Sequence, residues 1–214
     1  MTGARKAAEL LAPDPATFFV VSGNVETYPG APRQAPKFPG SSLEFWRGMS
    51  RAGHDVQSHS VTHAHFRALS EHDQRRELRD SLALVRQIHD GPYLFCFPFN
   101  EIGDVDLREE GYAAGGFLTL GSNVGPVFHS LDESIEPSRL RSWAVRERHF
   151  EWVSQQLAEE VPDHSWVTLA FHSFDGEGHE PWTSSGFARL VTALRAAGYQ
   201  IRSIRGMLPQ LGLA

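Results

Sequence analysis

Two histidines, His59 and His63, are the residues whose type and spacing point most directly to chemistry. They lie in the segment GHDVQSHSVTH of residues 53–63, just after a short stretch that is predicted to form a strand. Two imidazoles four residues apart can point the same way from one helical turn or a tight loop, and such a pair can bind one divalent, zinc-like ion. The chain has 11 histidines, so the pair could also arise by chance, and the residues alone leave both interpretations open.

His172 is the second candidate, because it ends the apolar run WVTLAFH of residues 166–172. A histidine at the carboxyl-terminal tip of a buried strand is well placed to act as a general acid or base. The other interpretation is a hydrogen-bonded histidine of the core, and the residues alone do not separate the two. Cys96, the single cysteine, has no identifiable activating base and is expected to be a small buried hydrophobe.

The composition predicts one globular domain, residues 1–214, that acts on a neutral or cationic partner. Hydrophobic residues make up 41% and charged residues 21% of the chain, and no repeat or composition break divides it. The net charge of −6 repels polyanions such as nucleic acids. No apolar run approaches the ~20 residues of a membrane span. Residues 1–12 make a poor signal peptide, so a cytoplasmic location is expected.

Short apolar runs alternate with helical periodicity along the chain, which predicts parallel βα units. Strands are predicted at 16–21, 55–58, 93–97, 116–120, 166–171 and 200–204. Helices are predicted at the start of the chain, after Ser41, after Ser70, and around 150–157 and 187–194, with a long Gly/Pro-rich loop at 23–40. In such folds the functional residues follow the carboxyl ends of strands. In this chain these are the positions after residues 21, 58, 97 and 171.

Taken in order, these segments resemble the polysaccharide deacetylase superfamily, carbohydrate esterase family four. The run ATFFVVSG of residues 16–23 and the histidine segment of residues 53–63 match two family motifs closely. Residues 97–100 (FPFN) match the family's R-x-P-F/Y-G segment loosely, and residues 169–172 match its Leu-x-His strand end with one extra residue. The resemblance implies an α/β fold, a deformed (β/α) barrel of the seven-stranded type.

The same resemblance implies the chemistry and the role of each residue. His59 and His63 would be metal ligands, with zinc as the first expectation, and His172 would be the general acid that protonates the leaving amine. The expected reaction is hydrolysis of a non-peptide C–N amide bond, foremost the deacetylation of an N-acetylated carbohydrate. The expected partners are therefore a carbohydrate or small-molecule amide substrate, with no nucleic acid and no membrane.

The sequence departs from the family pattern in ways that put activity in doubt. The family's Asp-Asp motif, which supplies a third metal ligand and the general base, does not precede ATFF, so the first strand is expected to be missing. Cys96 stands at the family's arginine position and Asn100 at its glycine position. Glu101 and Asp175 are conceivable replacement acids.

Three explanations of the missing motif stay open: a start assigned too late, a shortened version of a longer chain, or an inactive homologue. Loss of a strand from a closed barrel exposes strand edges, so reduced stability or association into a homo-oligomer is expected if the chain starts at Met1. The alternative functions are a glycan-binding or scaffold protein without catalysis, and a hydrolase of a small amide or ureide.

Overall fold

The computed structural model describes residues 3–26, 40–121, 127–176 and 180–212. Residues 27–39 of the predicted long loop lie outside this description. The helices are α1 (Gly3–Leu11), α2 (Leu43–Arg51), α3 (Glu71–Val85), α4 (Phe150–Glu159), α5 (Ser184–Ala196) and α6 (Ile204–Met207). The strands are β1 (Thr17–Val20), β2 (Asp55–Ser58), β3 (Leu94–Cys96), β4 (Ala114–Gly121), β5 (Phe128–Ser130), β6 (Leu140–Ala144), β7 (Ser165–Val167) and β8 (Leu169–Ala170).

The chain forms two compact units. That residues 1–214 act as one catalytic domain stays a prediction. The first unit comprises Thr17–Leu118, Glu136–Leu140 and Gly212–Ala214, and the second comprises Met1–Ala16, Thr119–Ile135 and Arg141–Leu211. His59 and His63 belong to the first unit, and His172 belongs to the second. Among the described residues, no helix combines the length and the apolar composition that a bilayer crossing requires.

The first unit contains a parallel sheet in the order β1-β2-β3-β4. The register pairs Val20 with Ser58 and Ser58 with Phe95, so the carboxyl ends of β1, β2 and β3 lie at one edge of the sheet. Helix α3 covers one face through an apolar cluster that includes Leu78, Phe95 and Phe97. Because side chains alternate along a strand, Cys96 faces away from this cluster.

Local sequence signals predicted the starts of α2 and α3 to within one residue. Ser70 caps α3 by accepting a hydrogen bond from the backbone of Asp73, as predicted. The cap of α2 is Ser42 instead of the predicted Ser41, because it is the Ser42 hydroxyl that accepts the Phe45 N–H. Helix α3 ends at Val85.

The second unit departs from two strand predictions. The run of residues 166–171, predicted as one strand, is divided between β7, which pairs antiparallel with β5, and β8, which pairs parallel with β6. The division arises because the two halves of the run hydrogen-bond to different partner strands. The predicted strand at 200–204 is wrong: residues 200–203 have no regular structure, and Ser203 caps the short helix α6 through the Gly206 N–H. In the same unit, α1 packs against α5.

Candidate functional site

His59 is the first residue after β2, and the sheet itself fixes its backbone. Its N–H donates to the Val20 carbonyl at 3.0 Å, which continues the pairing of β1 with β2. The ring Nδ1 lies 2.7 Å from the Cys96 carbonyl oxygen at the end of β3. Because a carbonyl can only accept, Nδ1 carries the proton and Nε2 has the lone pair. Histidines that bind metal ions are held in this way, with the second nitrogen donating to a carbonyl or carboxylate.

His63 faces His59 from the other end of the same loop. The two ring centroids lie 4.8 Å apart with the planes at 76°. The His63 N–H donates to the Ser60 Oγ at 2.9 Å, which closes the turn between the two histidines. Burial lowers the pKa of His63, a backbone hydrogen bond raises it and the neighbouring His65 lowers it, and the net shift is downward, which favours the neutral ring. The loop therefore places the two imidazoles close together.

Left-handed backbone is concentrated in the loops that follow β2 and β3. Ser60, His63, Phe99 and Asn100 have φ angles of 65°, 54°, 55° and 60°. Such angles are uncommon in residues other than glycine and cluster at functional sites in proteins. Asn100 stands where the family has glycine, and asparagine is one of the residues that tolerate this conformation best. Asn100 can therefore adopt the left-handed backbone of this loop although it is not glycine.

Phe99 forms an aromatic wall beside the histidine pair, and sequence reasoning did not single it out. Its ring is 50% exposed, stacks on His65 with centroids 3.7 Å apart, and meets His63 edge-on at 4.6 Å. The Nδ1 of His65 lies 2.9 Å from a carboxylate oxygen of Glu101, which fixes the stacked partner. The signal that could have identified Phe99 is its place directly after Pro98, at a strand end.

The two candidate replacement acids, Glu101 and Asp175, both accept hydrogen bonds from neighbouring residues. Glu101 is paired with His65, and this hydrogen bond lowers the pKa of Glu101. Asp175 accepts hydrogen bonds from both the N–H and the hydroxyl of Ser184, and these bonds lower its pKa. Within the described ranges, no three or more His, Cys, Asp or Glu side chains are grouped so that they could hold a metal ion. Of the expected ligand set, the described residues contain the two histidines His59 and His63, and imidazole nitrogens are donors that a zinc-like ion accepts.

His172 follows β8 and is exposed, which disfavours the interpretation as a core histidine. The chain beyond it folds back, with the Trp182 N–H donating to the Ser173 carbonyl and the Asp175 N–H donating to the Trp182 carbonyl. Trp182 is a buried residue of the second unit. Its side chain is 1% exposed, and its Nε1 donates to the Val145 carbonyl, so it belongs to the core of the second unit.

Cys96 is partly buried, and desolvation raises the pKa of its thiol to about 12. It therefore remains protonated at neutral pH, in agreement with the expectation of an unreactive side chain. Its contribution to the site comes from its backbone carbonyl, which orients His59. That contribution depends on the position of Cys96 in β3 and places no demand on its side chain.

Residues 13–113 match the family model described as polysaccharide deacetylase, which covers ATFF, the histidine loop and the Pro98 segment. This match covers a little under half of the chain. It confirms the resemblance that the chain's motifs predict. No curated protein matches the chain in sequence.

Solved structures of deacetylase-superfamily proteins share the fold. The peptidoglycan deacetylase PdaC from Bacillus subtilis is 17% identical, with a TM-score of 0.56 over 97% of this chain and 84% of that one. The Xyl-CE4 domain of a multidomain xylanase, from the hindgut metagenome of Trinervitermes trinervoides, is 15% identical, with a TM-score of 0.62 over 99% and 86%. A mutant of BA3943, a CE4 family pseudoenzyme, is 16% identical, with a TM-score of 0.57 over 96% and 63%. These likenesses confirm the predicted α/β fold of the deacetylase type.

Proposed function

We propose that this chain is a metal-dependent amide hydrolase that removes the acetyl group from an N-acetylated carbohydrate. The observation that carries the proposal is the His59–His63 pair, in which the Cys96 carbonyl fixes His59 in the tautomer of a metal ligand. The match of residues 13–113 to the polysaccharide deacetylase family supports the reaction type. Two proteins of the same fold, PdaC and Bc1960, are described as peptidoglycan deacetylases, which supports a carbohydrate substrate.

The proposed roles follow from the resemblance to the deacetylase family and, for His59 and His63, also from the geometry of their rings. Nε2 of His59 and a ring nitrogen of His63 would hold a divalent ion, with zinc first among the candidates. When bound, such an ion polarises the amide carbonyl and lowers the pKa of water. His172 would give a proton to the amine nitrogen as the C–N bond breaks. Phe99 would pack its exposed face against the flat apolar side of a sugar ring.

The exposed ring of Phe99 also favours a sugar over a small amide or ureide. A small planar amide fills little of an aromatic face beside the reacting bond, whereas a pyranose ring can cover it. For this reason the ureide hydrolase is the weakest of the three candidate functions.

The cytoplasmic location and the homo-oligomer stay predictions.

A glycan-binding protein without catalysis is the second candidate function. Both conceivable replacement acids already accept hydrogen bonds from neighbouring residues, Glu101 from His65 and Asp175 from Ser184, which supports this alternative. The solved fold of a CE4 family pseudoenzyme shows that such proteins exist in the superfamily. Under this alternative the chain binds N-acetylated oligosaccharide with or without zinc and releases no acetate.

Zinc content tests the proposal first. The purified chain is dialysed against zinc, desalted and analysed by elemental mass spectrometry, with His59→Ala, His63→Ala and the exposed-surface control His72→Ala. We expect about one equivalent in the wild type and in His72→Ala, and loss in both site variants. Equal zinc content in all four proteins contradicts the metal site.

Acetate release from N-acetylglucosamine oligomers then separates the enzyme from the binding protein. In an active chain, His172→Ala should lower turnover by roughly 10²–10⁴-fold, the usual contribution of a general acid. Wild-type turnover in His172→Ala removes this residue from the mechanism. Binding of the oligomer without acetate release supports the second candidate.

A further inference from the structure

Glu77, on the helix that covers the sheet, is joined to the histidine loop by three hydrogen bonds. One carboxylate oxygen accepts the backbone N–H groups of Val61 and Thr62 at 2.8 and 2.9 Å. The other oxygen accepts the Thr62 hydroxyl at 2.8 Å. Glu77 is 5% exposed, so the carboxylate reaches the loop from inside the protein.

The two residues that Glu77 binds lie between His59 and His63 and between the two left-handed positions Ser60 and His63. On the opposite side, the Ser60 and Val61 carbonyls accept hydrogen bonds from the backbone N–H groups of Ser22 and Gly23. The loop is therefore fixed on both sides by groups that are distant in sequence. Backbone in an unfavourable conformation persists only where its surroundings hold it in this way.

We propose that Glu77 is a positioning residue that sets the distance and direction between the His59 and His63 rings, and through them the affinity for a divalent ion. The inference rests on the proposed metal site and extends it to a residue on another element, which touches neither the ion nor the substrate. A buried carboxylate that accepts two consecutive amides stabilises one conformation of the turn, because any other conformation leaves the carboxylate unsatisfied. Groups that orient metal ligands typically change metal affinity by about 10–100-fold when they are removed.

The chain contains a matched control on the same helix, one turn before Glu77. Gln74 is 1% exposed and also makes three hydrogen bonds to loops, donating to the Phe66 and Leu69 carbonyls and accepting from the Asp104 N–H. None of these partners belongs to the turn between the two histidines. Gln74→Leu therefore removes as many buried hydrogen bonds as Glu77→Leu and leaves the histidine turn intact.

Titration of the apo chain with Co²⁺, followed by its visible absorption, tests the proposal without measuring activity. We expect Glu77→Leu to weaken Co²⁺ binding by about 10–100-fold and Gln74→Leu to change it by no more than a few-fold. Glu77→Gln should restore most of the affinity, because the amide oxygen can accept both N–H groups while its NH₂ donates to the Thr62 hydroxyl. Equal Co²⁺ affinity in folded Glu77→Leu and Gln74→Leu overturns the proposal.

Two further measurements cover the remaining outcomes. If Glu77→Leu does not fold, Thr62→Val removes one of the three contacts, and unchanged Co²⁺ affinity in that variant overturns the proposal. If the wild type binds no Co²⁺, the proposed metal site is refuted. Amide hydrogen exchange then tests separately whether Glu77 holds the turn between the two histidines. Faster exchange at Val61 and Thr62 in Glu77→Leu than in Gln74→Leu supports the positioning role, and equal exchange excludes it.

Discussion

Two buried tryptophans of the second unit should respond very differently to the same substitution. Trp182 and Trp143 are 1% and 0% exposed, so replacement by phenylalanine removes the same volume from two equally closed environments. The Trp182 Nε1 donates to the Val145 carbonyl at 2.9 Å. The Trp143 Nε1 is buried and has no hydrogen-bond partner among the described residues. We expect Trp182→Phe to be the more destabilising of the two.

The size of the difference follows from these hydrogen bonds. The volume term is common to both variants and cancels to first order. Trp182→Phe leaves the buried Val145 carbonyl without a donor, which costs about 1–3 kcal/mol. Trp143→Phe removes a buried donor that is already unsatisfied and recovers a desolvation cost of similar size. The free energies of unfolding should therefore differ by at least about 2 kcal/mol, or about 4–8 °C in Tm for a chain of this length.

Urea unfolding of both variants, followed by circular dichroism at 222 nm, measures this difference. Wild type provides the reference, and equal slopes of free energy against urea show that the same surface is exposed in each protein. If Trp143→Phe is as destabilising as Trp182→Phe, the hydrogen bond to Val145 does not anchor the chain segment that follows His172.

Two further predictions concern the exposed surface near the candidate site residues. Phe99→Ala should raise KM for an N-acetylated oligosaccharide, or its Kd by calorimetry, by about 3–10-fold with little change in kcat, since an aromatic stacking contact contributes about 0.5–1.5 kcal/mol. The control variant Phe99→Tyr should keep the wild-type affinity. If Phe99→Ala has no effect, the stacking role is excluded. Ser184→Ala should raise the pKa of Asp175 toward its usual 3.8, because the Ser184 hydroxyl is the first cause of the lowering. The lowered pKa means that Asp175 stabilises the folded chain above its unfolded-state pKa and that this stabilisation is lost as pH falls through the folded-state pKa. A carbon-13 carboxyl titration by NMR measures the shift, and an unchanged pKa in Ser184→Ala contradicts the assignment of its cause.

The sequence predicted the elements whose signals are local. Strands β1, β3 and β4 overlap predicted apolar runs, β2 lies at the predicted positions 55–58, and Ser70 starts α3, since these signals depend on residues a few positions apart. The histidine pair was identified because both members belong to one short segment after β2. The same local reasoning failed at residues 166–171 and 200–204. There the choice between strand pairings, or between strand and helix, depends on partners distant in sequence.

What the sequence by itself determined about this protein is its resemblance to the deacetylase family, its fold class and the residue types of the candidate site. Only the tertiary structure decided how those residues are held: the Cys96 carbonyl on the His59 ring, Glu77 on the turn before His63, and Phe99 stacked on His65. Each of these contacts joins side chains or backbone groups that parallel strand pairing and helix packing bring together. Because periodicity records which face of an element is buried but not which neighbour covers it, such contacts can be found only once the register and the packing are known.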